Sequence, residues 1–235
     1  MNARDILKRA VQCDKAGRIL EAQNLYQDGV QILMKIASSH INLKKKTVLY
    51  EHIKQYIDRA EEIKKRVDDL VVVGEVVKRL RIENDSTGNS YQSLFGECLD
   101  GKIKEVWLDE PYLQHDYQFQ NLVIFLELVV KKCRNLKYIR LVNKTYRNAA
   151  QYQLNILEGL RADLGSRGIN FAISFDETLH DRRIALSNGY IIKIGRGLHF
   201  YKRNIPEYSL GYNDADFRKC LQTDLEIYRT KDFIA

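Results

Sequence analysis

Between residues 2 and 70, apolar side chains return every third or fourth position: Ile6, Ala10 and Val11, then Ala22, Leu25, Tyr26, Ile32, Leu33 and Ile36, then Leu49, Ile53, Ile57, Ala60, Ile63 and Val67. This spacing matches the 3.6-residue helical turn and gives each stretch one apolar stripe. Gly17 interrupts the first two stripes and residues 38–42 the second and third. Breaks this short join antiparallel neighbours, so the pattern predicts a three-helix bundle.

The period changes after residues 84–90, which are rich in turn formers. Residues 103–108, 138–142 and 169–175 read as strands, and helical patterns at 118–133 and 149–165 lie between them, an alternation that indicates βαβ units. Residues 182–186 and 190–194 flank Asn188-Gly189, a pair that accepts positive φ at both central positions of a hairpin turn. A strand at 225–229 would complete a mixed sheet covered by helices. The expected fold is therefore two domains: an all-α antiparallel three-helix bundle over residues 1–82, a linker at 83–90, and an α/β domain over 91–235.

Composition agrees with a folded chain: 45% of the 235 residues are hydrophobic, and two prolines leave no room for a proline-rich linker. The longest apolar runs, 70–77 and 122–130, are broken by Glu75 and Glu127, whereas a membrane span needs roughly 20 apolar residues. No spanning helix is expected. Charges at Arg4, Asp5, Lys8 and Arg9 exclude an apolar leader there, so a cytoplasmic protein is expected. Cys13, Cys98, Cys133 and Cys220 form no CxxC pair and have no histidine at ligand spacing, which predicts reduced structural thiols and neither metal nor cofactor. The net charge of +7 favours polyanionic partners, acidic lipid or nucleic acid. Basic residues exceed acidic ones by 17 to 13 up to Asp85 and by 21 to 18 beyond it, so neither half is a dedicated basic tail. No RNA-binding motif or regular basic-aromatic repeat is present, and nucleic acid is not the expected partner.

The bundle carries a more specific signal. Asp14, Gly17, Arg18, Glu21, Ala22 and Tyr26, followed by the block Tyr56-Ile57-Asp58-Arg59-Ala60-Glu61-Glu62-Ile63-Lys64, resemble an MIT (microtubule-interacting and trafficking) domain. A three-helix bundle with an apolar groove can receive a fourth, amphipathic helix. Ile53, Ile57, Ala60 and Lys64 share one stripe of the third helix, with Glu61 beside it. Periodicity leaves Ile53 open between core and groove. The resemblance implies that Ile57 and Glu61 line the groove and meet a leucine and a basic residue of the guest. It also implies the guest, an MIT-interacting motif at the carboxy-terminal end of an ESCRT-III subunit.

Residues 178–202 resemble half of a phospholipase D site. Those enzymes use a histidine nucleophile, a lysine two residues later and an aspartate seven residues after the histidine. Here His180 is followed by Arg182 and Ser187 at those positions, and Arg196 follows Gly195 where the enzymes carry serine. No catalytic residue is expected, and one such half would need a second across a dimer to make a site. A dimeric phosphodiesterase or nuclease around His180 is the alternative. Six cations, Arg182, Arg183, Lys193, Arg196, Lys202 and Arg203, form the candidate membrane-binding set, each worth about 1 kcal/mol near an acidic surface. Pairing an MIT-like bundle with a degenerate phospholipase-D-like domain is similar to a family of two-domain MIT proteins. That likeness implies a non-enzymatic homodimer recruited by ESCRT-III to midbody and late endosome membranes, where it contacts phosphoinositide and acts in abscission and membrane trafficking.

Overall fold

The computed structural model describes residues 2–16, 18–39, 43–73, 75–145, 150–203, 206 and 208–230. The chain divides into two compact units, Met1–Val73 and Gly74–Ile234.

The first unit consists of α1 (Ala3–Lys15), α2 (Ile19–Ser39) and α3 (Leu43–Val73). Asn2 caps α1, its side chain accepting from the Asp5 amide at 2.9 Å. The stripes meet as their spacing requires: Leu7, Ala10, Cys13, Ala22, Tyr26, Ala60 and Ile63 form one buried cluster, and Val30, Ala37 and Ile53 a second. Around them runs an ion-pair frame. Glu21, 1% exposed, accepts from Arg9 at 2.7 Å and Arg18 at 2.8 Å. Asp14 of α1 receives Arg59 of α3 at 2.8 Å and the Tyr26 hydroxyl at 3.2 Å.

The second unit is a seven-stranded mixed sheet. Its strands are β1 (Glu75–Ile82), β2 (Glu105–Asp109), β3 (Tyr138–Asn143), β4 (Asn170–Phe175), β5 (Arg183–Leu186), β6 (Tyr190–Ile194) and β7 (Thr223–Arg229), in the order β1-β7-β6-β5-β2-β3-β4. β2, β3 and β4 are parallel and the remaining pairs antiparallel. The helices are α4 (Tyr91–Phe95), α5 (Asp116–Lys132) and α6 (Ala150–Ser166). Tyr91, Phe95, Phe119, Phe125 and Leu157 from these helices join Leu108, Ile139, Phe171, Ile184, Ile192 and Ile227 from the strands in one core. Strand alternation then sends Trp107, Asp109, Arg140, Arg183 and Lys193 to the opposite face of the sheet. All four cysteines are buried and free.

Two expectations are corrected. The domain boundary lies at residues 73–75, because residues 75–82 are a strand of the second sheet and no part of the bundle. Residues 83–90 are accordingly tied into the second unit: the Asp85 amide donates to the Cys220 carbonyl at 2.8 Å and the Gly88 amide to that of Asp216 at 2.6 Å. The valine-rich run across residues 71–77 suits helix and strand alike, which conceals the change of element. The hairpin is present between β5 and β6, but β5 runs to Leu186 and β6 starts at Tyr190, which leaves a three-residue loop. Only Gly189 there takes positive φ, at 94°. Asn188 instead donates its side-chain amide to the Cys98 carbonyl at 2.9 Å, as in hairpins that place a single left-handed residue last.

Candidate functional site

On α3 the five expected groove residues separate. Ile53, 1% exposed, and Ala60, 8% exposed, belong to the two cores and hold the bundle together. Ile57 is half-buried against the second core, while Glu61 and Lys64 are exposed. Spacings of four and three place these last three residues on one stripe. Of the remaining motif residues, Asp14, Arg18, Glu21, Tyr26 and Arg59 form the internal ion-pair frame.

In the second unit a charged centre forms where β2 ends beside the segments around β5 and β6. Glu110, 1% exposed, accepts from the Leu198 amide at 3.0 Å. His199 Nε2 stands 3.4 Å and Arg182 Nε 4.0 Å from Glu110 Oε1. Gly197 passes so close that a Cβ there would lie 2.2 Å from Oε2 of Glu110. The Arg182 guanidinium also donates to the Gly195 carbonyl at 2.6 Å and stacks 4.4 Å over the Tyr112 ring. The open space among Leu108, Glu110, Arg182, Ile192, Gly197 and Leu198 is about 10 Å³, room for one water.

The opposite sheet face carries a second pairing. Asp109 accepts from Trp107 Nε1 at 2.6 Å and from Arg183 at 2.9 Å. Arg140 lies 4.3 Å over the indole. Burial pushes the Asp109 carboxyl above its ordinary range, and the Arg183 charge opposes that rise.

A cleft of about 700 Å³ opens between the start of α5 and the segments after β6. His115, Tyr117, Tyr152, Tyr201, Lys202, Arg203, Tyr212 and Arg218 line it, with Asp116 as an acid. Arg203 stacks 3.8 Å over the Tyr117 ring and donates to its hydroxyl. The Gln118 side chain caps α5 from inside, accepting the amides of Gln114 at 2.7 Å and His115 at 2.8 Å.

Residues 1–65 match the family described as the MIT (microtubule interacting and transport) domain, and residues 88–229 the one described as "Phospholipase D-like domain at C-terminus of MIT". MIT domain-containing protein 1 of Mus musculus is 37% identical over 227 residues, 96% of this chain and 91% of that protein. The chain belongs to this MIT and phospholipase D-like family.

Within the phospholipase D-like domain, the three motif positions serve three unrelated local needs. His180 is exposed, with Nδ1 3.4 Å from Lys144 Nζ. Arg182 is held by Gly195, Tyr112 and Glu110. The Ser187 hydroxyl accepts the amides of Lys104 at 2.9 Å and Glu105 at 3.1 Å, tying down the entry to β2.

The six candidate cations do not form one patch. Arg182 belongs to the Glu110 centre. Arg183 pairs with Asp109, and Lys193 lies 5.7 Å over the Tyr228 ring on that same face. Arg196 is exposed and donates to the Gln222 carbonyl at 3.0 Å. Lys202 reaches Asp85 at 2.8 Å, and with Arg203 it borders the cleft. Sequence reasoning missed Glu110, Arg140 and the cleft residues His115, Asp116, Tyr117 and Arg218. The available signal was the acidic pair Asp109-Glu110 at the carboxyl end of a parallel strand, where crevices open in α/β sheets.

Proposed function

We propose that this protein is a non-catalytic adaptor. Its MIT bundle receives amphipathic helices from the carboxy-terminal tails of ESCRT-III subunits, and its phospholipase D-like domain contacts acidic, phosphoinositide-bearing membrane. In this reading it works as a homodimer on the cytoplasmic side of midbody and late endosome membranes, in cytokinetic abscission and membrane trafficking. The observation that carries it is the α3 stripe: half-buried Ile57, with Glu61 and Lys64 exposed above it and in no ion pair among the described residues. An apolar guest residue can complete the packing around Ile57 while Glu61 takes a guest cation. The phospholipase D-like positions support the non-catalytic part, since the arginine at the lysine position is already held by Glu110, Gly195 and Tyr112. Two weak contacts, one to protein and one to lipid, gain affinity by acting together.

Capture of synthetic ESCRT-III tail peptides by the full chain tests this reading. Glu61→Lys alters only an exposed charge and is expected to weaken capture at least about tenfold, the effect of reversing one close charge pair. Ile57→Asp is expected to abolish capture with an unchanged circular dichroism spectrum. Capture by both variants at the wild-type level would overturn the groove assignment.

A further inference from the structure

At Pro206 and residues 208–212, the Ser209 amide donates to the Pro206 carbonyl at 3.1 Å and the Tyr212 amide to the Ser209 carbonyl at 3.2 Å. Arg218 holds the turn from behind, donating to the Gly211 carbonyl at 2.6 Å and the Tyr212 carbonyl at 2.7 Å. Gly211 lies against the Phe217–Arg218 backbone. Despite this fastening, the tip presents apolar side chains to solvent: Tyr208 is 95% and Leu210 80% exposed, with Phe217 55% and Tyr212 44% exposed beside them. Solvating such groups on a fastened turn costs free energy that burial in another phase would return.

Charge indicates which phase. Arg203 and Arg218 have no carboxylate partner among the described residues; Arg203 rests on Tyr117, and Arg218 on two carbonyls. Among the described residues the nearby acids are engaged: Asp116 of the cleft accepts from the Tyr152 hydroxyl, Asp85 holds Lys202, Asp214 accepts from the Asp216 amide at 3.0 Å, and Asp216 accepts from the Ser90 amide at 2.8 Å and the Ser93 hydroxyl at 2.9 Å. Tyr212 and Arg218 line the same cleft as Arg203, so the apolar tip stands next to two guanidinium groups. Tyrosine and leucine at a tip backed by arginine suit the boundary between lipid headgroups and acyl chains. Two such side chains bury a few hundred Å², well under the roughly 800 Å² per partner of a stable protein contact.

We propose that the turn at 208–212 is a membrane-insertion tip: Tyr208 and Leu210 enter an acidic bilayer while Arg203 and Arg218 hold lipid phosphates at the adjoining cleft. This rests on the membrane-contacting role proposed above and assigns it to a segment distinct from the sheet-face cations.

Because all four native thiols are buried, a Leu210→Cys variant of the full chain can be labelled at that position with an environment-sensitive fluorophore. On vesicles of phosphatidylcholine mixed with phosphatidylserine, emission is expected to shift to the blue and be quenched by lipids spin-labelled near the headgroup. Leu210→Asp is expected to weaken vesicle flotation about tenfold, the loss of one buried leucine. Flotation of Leu210→Asp at the wild-type level, with an unshifted label, would overturn the tip while leaving the membrane reading intact. Wild type that fails to float with acidic vesicles would overturn both. A change in oligomeric state caused by Leu210→Asp would assign the tip to a second copy of the chain and overturn the proposal.

Discussion

At the scale of single residues, Glu110 governs the centre of the second unit. Its carboxylate has almost no exposure and faces the Leu198 amide, His199 and Arg182. Removing one member of a buried charged set leaves the others without compensation, so Glu110→Ala is expected to cost about 3 kcal/mol in urea unfolding. Glu110→Gln, which still accepts from Leu198, is expected to cost less. Asp216 provides a pH-dependent counterpart. Burial raises its pKa, but hydrogen bonds from the Ser90 amide and the Ser90 and Ser93 hydroxyls prevail and hold it below the ordinary 3.8. A folded-state pKa below the unfolded one gives stability that is present above 3.8 and lost as pH falls through the folded value. Asp216→Asn keeps an acceptor without the ionisation, so acid unfolding is expected to start from lower stability and to depend less on pH in that range.

At the scale of elements, β1 sets the extent of the second domain. A fragment covering 74–235 retains this strand, whereas one covering 91–235 loses its ladder with β7, the buried Ile82 side chain and the Lys78 contact to the Leu94 carbonyl at 2.9 Å. Thermal unfolding of the shorter fragment is expected at least about 10 °C below that of the longer, since losing a whole ladder costs several kcal/mol. β1 was hidden in the sequence for a physical reason. As an edge strand it is exposed at every position but Ile82, so no alternation marks it, and its valines continue those of α3. The inner strands were legible because each is a short apolar run bounded by turn formers. α4 was not, since five residues carry too little pattern to register. On α3 the spacing identified the helix, but only the packed structure separates Ile53 and Ala60, which face inward, from Ile57, Glu61 and Lys64.

At the scale of the whole molecule, the basic excess was readable as a number and not as a surface. Arg182 and Arg183 are adjacent in sequence yet serve opposite faces of one sheet, while Arg203 and Arg218 meet at one cleft from segments fifteen positions apart. Grouping of this kind is set by topology. Window-based reading of charge could not produce it. The short interval between α3, which ends at Val73, and β1, which begins at Glu75, has a mechanical consequence. Any load that draws the bundle away from the sheet enters at the Glu75 and Arg229 rung of the outermost ladder. Applied across the strand, that load would open the ladder rung by rung, starting beside the register slip between Val76 and Lys78. A protein tethered at both ends would then yield first at β1, while the six strands from β7 to β4 remained paired.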